Sequence, residues 1–187
     1  MPSTFPLFAA ALLVSAPVLA SEVVPIQNFR SVELHGGGYV EVVPGPAQRV
    51  TIVEGSGQFT QMRVDRDGKL VIDTCNERCP ASYRLRVRIQ SPRVPGLAIN
   101  GGGVMVAGTG FGAQSYLNAA VNGGGRLDAR AIDAASVSAA VNGGGELLVH
   151  ARQSLSAAVN GGGHVRYWGN PSTSVAIRGG GAVTRAN

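Results

Sequence analysis

The stretch Ala139-Ala140-Val141-Asn142-Gly143-Gly144-Gly145 decides the predicted fold, because the chain repeats it. The same seven residue types occupy 119–125 and 157–163, and looser copies end in glycine triplets at 101–103 and 179–181. Successive triplets begin 22, 20, 18 and 18 residues apart. A period of this size is typical of stacked repeats, in which each unit is too small to bury its own apolar face.

Alternation within the copies predicts strands. The residues one, three and five positions before Asn122, Asn142 and Asn160 are apolar, whereas the residues between them are small. Side chains alternate between the two faces of a strand, so the first set points inward and the second outward. The sequence therefore predicts an all-β fold, a solenoid with stacked Gly-rich turns around a slim aliphatic interior.

The recurring Asn-Gly pairs predict the corners of that solenoid. Glycine adopts backbone angles that residues with a Cβ avoid, and asparagine tolerates turn geometry well. The asparagines either form a hydrogen-bonded ladder from coil to coil or act as independent turn residues. We expect Gly124→Val to destabilise the fold more than Ala120→Ser. The predicted turn residues are Asn100, Asn122, Asn142, Asn160, Gly123, Gly143 and Gly161.

Composition fits a thin core. Aromatic residues make up 5% of the chain and charged residues 14%, while glycine occurs 27 times in 187 residues. The net charge of +5 gives some affinity for anionic surfaces, although an ordinary basic protein is the simpler interpretation.

The chain divides into three parts. The apolar run at 5–20 ends in Val18-Leu19-Ala20, which is typical of a signal peptide over residues 1–20. Residues 21–95 form a less regular β part, and residues 96–187 form the regular coils. The mature chain is expected to be exported to the periplasm or the extracellular space and to have no transmembrane helix. Open strand edges at either end leave room for stacking of two molecules, but the oligomeric state stays open.

Cys75 and Cys79 are the only cysteines. A disulfide is expected, because export favours oxidation and two thiols without a nearby His are too few for a tetrahedral metal site. No cofactor and no metal site are expected.

Two clusters are candidate binding residues. Arg84, Arg86 and Arg88 alternate with apolar residues, so they form either an anion-binding stripe or the wet face of an ordinary strand, which we favour. Tyr167 and Trp168 either stack on a sugar ring or plug the open end of the core; we favour the plug.

Three features carry a resemblance to a known family. They are Phe29-Arg30-Ser31-Val32 after an exported start, the Gly-rich coils, and Tyr167-Trp168-Gly169-Asn170-Pro171. Over about residues 28–185 the chain resembles the head GIN domain family, described as auto-transporter adhesins and long classed as a domain of unknown function. The resemblance implies a right-handed β-helix-like fold in a bacterial, Gram-negative envelope, and it brings no catalytic residues.

We therefore expect a non-enzymatic envelope protein that binds a polysaccharide, another anionic surface or a protein partner, and no nucleic acid. The alternative is a β-helix polysaccharide-degrading enzyme, which needs paired carboxylates. The acidic residues show no recurring offset, and His35, His150 and His164 are isolated in the sequence. Calcium binding at the turns is set aside because the residue after each triplet varies.

Overall fold

A computed structural model describes residues 21–76 and 78–187, so the predicted signal peptide lies outside the described residues. Over these ranges the protein is all-β, with fifteen strands hydrogen-bonded into one open, curled sheet. No helix in the described part is long and apolar enough to cross a membrane. The predicted fold class is thus confirmed at the level of an all-β protein.

The strands of the less regular part are β1 (Glu22–Val24), β2 (Ser31–Gly36), β3 (Tyr39–Pro44), β4 (Arg49–Glu54), β5 (Gln61–Val64), β6 (Lys69–Asp73) and β7 (Arg86–Ser91). Those of the repeats are β8 (Gly96–Gly101), β9 (Val104–Ala107), β10 (Gln114–Gly123), β11 (Arg126–Gly143), β12 (Glu146–Asn160), β13 (His164–Trp168), β14 (Ser172–Arg178) and β15 (Ala182–Arg185).

Equivalent repeat residues pair with one another. β10, β11, β12 and β14 lie side by side in parallel, and Val121 aligns with Val141, Val141 with Val159, and Val159 with Ile177. Parallel strands in this register place each side chain one strand spacing, about 4.8 Å, from its counterpart. Equivalent residues of successive sequence repeats therefore lie on adjacent strands.

The sheet curls because each of its two longest strands, β11 and β12, pairs along its first part with one run of neighbouring strands and along its second part with another. The first part of β11 pairs with β9, and the second part pairs with β10. The pairing of β11 with β12 shifts register between Ala129 and Asp133. One run contains β7, β3, β9, β13 and β15, and the other contains β6, β2, β8, β10 and β14.

The predicted alternation is confirmed by burial. Leu117, Ala119 and Val121 on β10 are at most 3% exposed, and their counterparts on β11 and β12 are equally buried. At about 25 cal/mol per Å², each buried Leu or Val contributes roughly 1.5–3 kcal/mol. One continuous aliphatic core runs along the stack.

The three glycines of a corner are not equivalent. The expected cost of Gly124→Val rests on the idea that a corner glycine tolerates no Cβ, and for the middle glycine this reason is wrong. The first glycine of a triplet has a positive φ, +116° at Gly143, and a Cβ there would lie 2.7 Å from the carbonyl oxygen of Gly123. The third glycine, such as Gly145, is blocked by neighbouring backbone and Val121. The middle glycine has no atom within 4 Å of an added Cβ and no positive φ, because it lies at the tip of the corner.

The N-terminal part extends the same sheet. β2 lies between β6 and β8, and β3 lies between β7 and β9, all in parallel. Asp67 and Gly68 lie in the turn of a hairpin, since β5 and β6 are antiparallel. Beyond these strands, β4 and β1 add antiparallel at the other edge.

The predicted disulfide is confirmed: Cys75 and Cys79 are bonded, with their Cα atoms 5.7 Å apart. The bond closes a short loop directly after β6. Because so few residues are enclosed, the bond restricts the unfolded chain only modestly.

Candidate functional site

The outer surface differs between the two runs of strands. On the run from β8 to β14, the outward positions hold small residues, among them Ala98, Ala120, Ala140 and Ala158. On the run from β7 to β13, many of them hold charged or aromatic residues beside apolar ones such as Val106 and Leu148, with five arginines against three carboxylates. These are Arg86, Arg88, Arg126, Arg130 and Arg166, and Glu41, Asp128 and Glu146. We call the second surface the charged face.

A groove of about 690 Å³ lies on the charged face. Asp128, Arg130, His150 and Trp168 line it together with residues at the end of β9. A concave surface that combines an aromatic ring with a few fixed polar groups is typical of small-ligand sites. We call it the Trp168 groove; it is lined by Val106, Ala107, Gly108, Thr109, Asp128, Arg130, Ala131, His150, Trp168 and Gly169.

Arg130 is fixed between a carboxylate and an aromatic ring. Its Nε lies 2.9 Å from Asp128 Oδ1, and its terminal nitrogen lies 2.6 Å from Asp128 Oδ2. The guanidinium carbon lies 5.1 Å from the centroid of the Trp168 ring, within cation–π range. Two parallel hydrogen bonds to a carboxylate orient the guanidinium plane, so Arg130 is positioned before any ligand arrives.

Asp128 is held in its charged form. Burial alone would raise the pKa of its carboxyl, but the hydrogen bonds from the side chain and backbone of Arg130 outweigh that effect and lower the pKa below its ordinary value. The same pair raises the pKa of Arg130. Near neutral pH the groove therefore carries a permanent ion pair.

The structure separates the two aromatic residues that the sequence offered as one candidate site. Tyr167 is half-buried and packs against the core. Trp168, the next residue along β13, lines the groove, and its indole N–H donates to the carbonyl oxygen of Asn187 at 3.3 Å. Of the two residues, Trp168 is the one placed to meet a ligand.

Arg84, Arg86 and Arg88 are exposed, but two of them already have partners. Arg86 lies over the Tyr39 ring at 4.7 Å, and Arg88 donates two hydrogen bonds, of 3.0 and 2.9 Å, to Glu41 Oε2. β7 is five strand steps from β13, roughly 24 Å at the usual spacing. The arginine stripe and Trp168 therefore share a face without forming one compact site.

Sequence reasoning missed Arg130 and His150, although the repeat contains the signal. Arg130, His150 and Trp168 are 20 and 18 residues apart, the same steps that separate the glycine triplets at 123, 143 and 161. His150 pairs in register with Trp168. Aligning the repeats on their glycines would have assigned the three residues to one repeat position, although in the structure His150 pairs with Asp133 because of the register shift after Ala129.

The asparagines form a ladder on the other face. The side-chain amide of Asn122 donates to Asn100 at 2.7 Å, Asn142 to Asn122 at 2.8 Å, and Asn160 to Asn142 at 2.9 Å. Every amide donates towards the N-terminal end, so the ladder has a direction. The structure shows the ladder rather than independent turn asparagines.

The ladder ends in an ionic cluster around Glu33. Asn100 and His35 contact the Glu33 carboxylate, and Lys69 Nζ lies 2.6 Å from its second oxygen. Burial would raise the pKa of Glu33, but the hydrogen bonds of Lys69 and His35 together lower it. His35, isolated in the sequence, thus bridges Glu33 and Asp73. Within the described ranges, no group of three or more His, Cys, Asp or Glu side chains is arranged to hold a metal ion.

Residues 104–171 match the family model described as "Putative auto-transporter adhesin, head GIN domain". The resemblance inferred from the sequence is thereby confirmed for this segment, which contains the Trp168 groove. No curated protein matches the chain significantly.

The fold is similar to that of a "putative adhesin" from Bacteroides fragilis NCTC 9343, at 17% identity and a TM-score of 0.54, over 89% of this chain and 96% of that one. A "putative lipid binding protein" from Parabacteroides distasonis ATCC 8503 aligns at 16% identity and a TM-score of 0.40, over 90% and 96% of the two chains. A "putative adhesin" from Parabacteroides merdae ATCC 43184 aligns at 14% identity and a TM-score of 0.41, with the same coverage.

Proposed function

We propose that this protein is an exported, non-enzymatic protein of the cell envelope that binds a polysaccharide in the Trp168 groove, in the manner of an adhesin. One observation carries the proposal: the groove places the Trp168 ring beside the preformed Arg130–Asp128 ion pair. The apolar face of a sugar ring packs against an indole, while its hydroxyl groups bond to charged side chains held at the rim.

The charge of the surrounding face favours a polysaccharide that carries acidic groups. Arginines outnumber carboxylates there, and guanidinium groups bind carboxylate, sulfate and phosphate strongly. The stripe of Arg84, Arg86 and Arg88 belongs to the same face and offers a second point of contact to a long chain. A polymer lying across the strands would meet both.

The carboxylates argue against the polysaccharide-degrading alternative. A glycosidase needs an acid whose pKa is raised, whereas the pKa of Asp128 is lowered. Glu41 and Glu146 also lie against arginines. The described carboxylates of this face are therefore engaged in ion pairs, and we expect no release of reducing ends from any polysaccharide.

The winding of the chain is part of the proposal. We infer a right-handed, β-helix-like solenoid, supported by the in-register parallel strands and by the Gly-rich corners that recur at the repeat period. Such a stack presents equivalent side chains in straight columns, which suits a ligand that is itself a repeating polymer.

The proposal is tested with a panel of neutral and acidic polysaccharides, measured by calorimetry at low and high salt. We expect the acidic members to bind and Trp168→Ala to weaken binding at least tenfold, consistent with loss of more than about 1.4 kcal/mol. Tyr116→Ala is the matched control, because Tyr116 is 53% exposed and lies on the other run of strands. Binding that Trp168→Ala leaves unchanged would refute the site, and a panel without any binder would refute the ligand class.

A further inference from the structure

The C-terminal end of the sheet is uncovered among the described residues. β14 pairs only with β12 there, and β15 pairs only with β13. Val175 and Ile177 are 46% and 44% exposed, although Ala157 and Val159, their partners in register, are at most 3% exposed. The aliphatic interior is therefore open at this end.

The opposite end of the sheet is protected. Its edge strands β1 and β5 pair antiparallel with their neighbours, and they have only three and four residues. Short edges that carry charge resist pairing with other chains. β14 has seven residues, so it lacks the protection that a short edge strand gives.

The backbone of β14 shows which N–H and C=O groups point to the unpaired edge of the sheet. The N–H of Gly161 donates to the carbonyl of Arg178 at 2.8 Å, so Arg178 faces β12. Successive residues of a strand direct their N–H and C=O groups to alternate sides. Thr173, Val175 and Ile177 therefore direct theirs to the free edge. Because their side chains also continue the inward column of β12, the same residues carry the unpaired polar groups and the exposed apolar surface.

We propose that two copies of this protein associate through this end, with β14 antiparallel to the β14 of the second copy about a two-fold axis at Val175. Val175 then faces its own counterpart, and Thr173 faces Ile177 of the second copy. All three pairs exchange both backbone hydrogen bonds. Inward side chains stay inward, so the two aliphatic interiors become one.

The charged residue of β14, Arg178, is compatible with this antiparallel pairing of two β14 strands. Arg178 lies at the last position of β14 and therefore faces Ser172 of the second copy. The two Arg178 residues are then about 20 Å apart, at roughly 3.4 Å per residue, which is beyond the screening length at physiological salt. A two-fold contact of this kind is self-complementary and needs no other chain.

The size of the contact predicts a weak dimer. A seven-residue strand is about 24 Å long, and two strand layers with a core between them are about 20 Å thick. The contact then covers roughly 480 Å² on each copy, close to the lower limit of about 1,000 Å² in total for a specific interface. We expect dissociation in the micromolar range.

Sedimentation of the purified protein, up to about 500 µM to cover a micromolar Kd, tests the proposal. We expect wild type to dimerise and Val175→Lys to raise Kd at least tenfold, because the two ammonium groups would face each other across the axis. Val23→Lys is the matched control: Val23 is 55% exposed on edge strand β1, at the other end of the sheet. It should leave Kd unchanged.

A cross-link gives an independent readout. Facing Cα atoms in a hydrogen-bonded antiparallel pair are about 5.5 Å apart, which suits a disulfide. Val175→Cys should form a covalent dimer on oxidation, whereas Val23→Cys should not. A wild-type protein that stays monomeric would refute self-association. Equal weakening by Val23→Lys and Val175→Lys would show head-to-tail stacking and refute the two-fold contact.

Discussion

The three glycines of one corner predict three different responses to the same substitution. At Gly143, alanine must adopt a φ of +116° and its Cβ must lie 2.7 Å from the Gly123 carbonyl oxygen. At Gly145, the Cβ would lie 2.5 Å from Val121 Cγ1. At Gly144, the added methyl group meets no atom within 4 Å.

The expected energies follow from these contacts. A residue with a Cβ at positive φ costs about 1–3 kcal/mol, and displacing the Gly123 carbonyl weakens its 3.0 Å hydrogen bond from Gly144 N–H, worth about 1 kcal/mol. Alanine also lowers the conformational entropy of the unfolded chain, which stabilises the folded protein by roughly 0.4–1 kcal/mol. Gly143→Ala should therefore destabilise by about 2–3 kcal/mol, and overpacking should give Gly145→Ala a cost of about 1–3 kcal/mol. Gly144→Ala should be neutral or stabilising by up to about 1 kcal/mol.

Thermal unfolding followed by circular dichroism measures these differences. For a chain of this size, 1 kcal/mol shifts Tm by about 2–4 °C, so Gly143→Ala should lower Tm by roughly 4–12 °C. Gly144→Ala is the internal control, because it adds the same methyl group one residue away. A loss of Tm in Gly144→Ala as large as that in Gly143→Ala would refute the description of the corner.

Three further predictions concern the ladder, its ionic end and the disulfide. Asn142→Ala removes two ladder hydrogen bonds and should lower the free energy of unfolding by about 1–2 kcal/mol in denaturant melts, whereas Ser156→Ala on the same face should change it by less than about 0.5 kcal/mol. Because the pKa of Glu33 is lowered in the folded protein, its ion pairs stabilise above its ordinary pKa, and that stability is lost as the pH falls through the lowered value. Glu33→Gln should therefore reduce Tm at pH 7 and flatten its acid dependence; an unchanged acid profile would contradict this. Replacing Cys75 and Cys79 by serine should cost about 2 kcal/mol, the chain-entropy value for so small a loop, and should leave the far-UV spectrum intact.

Much of the fold could be predicted from the sequence because the repeat acts locally. Glycine triplets determine where the chain turns, and the alternation around Val121, Val141 and Val159 determines which side chains are buried. Both signals lie within a few residues, so periodicity alone recovers them. The disulfide could be predicted because Cys75 and Cys79 are the only cysteines and an exported chain favours their oxidation.

Tertiary structure decided which side chains meet across strands that are distant in the sequence. The sequence grouped Tyr167 with Trp168, but alternation along β13 turns one towards the core and the other into the groove. Arg130 and His150 reach that groove only because parallel pairing of β11, β12 and β13 brings together residues that are distant in the sequence. The sequence by itself thus determined the corners and the inward residues, which follow from local backbone geometry. Pairing between strands decided the groove and the direction of the ladder, since each consists of groups that meet only when distant residues lie one strand spacing apart, and within the described part of the chain it left β14 unpaired along the edge that contains Val175.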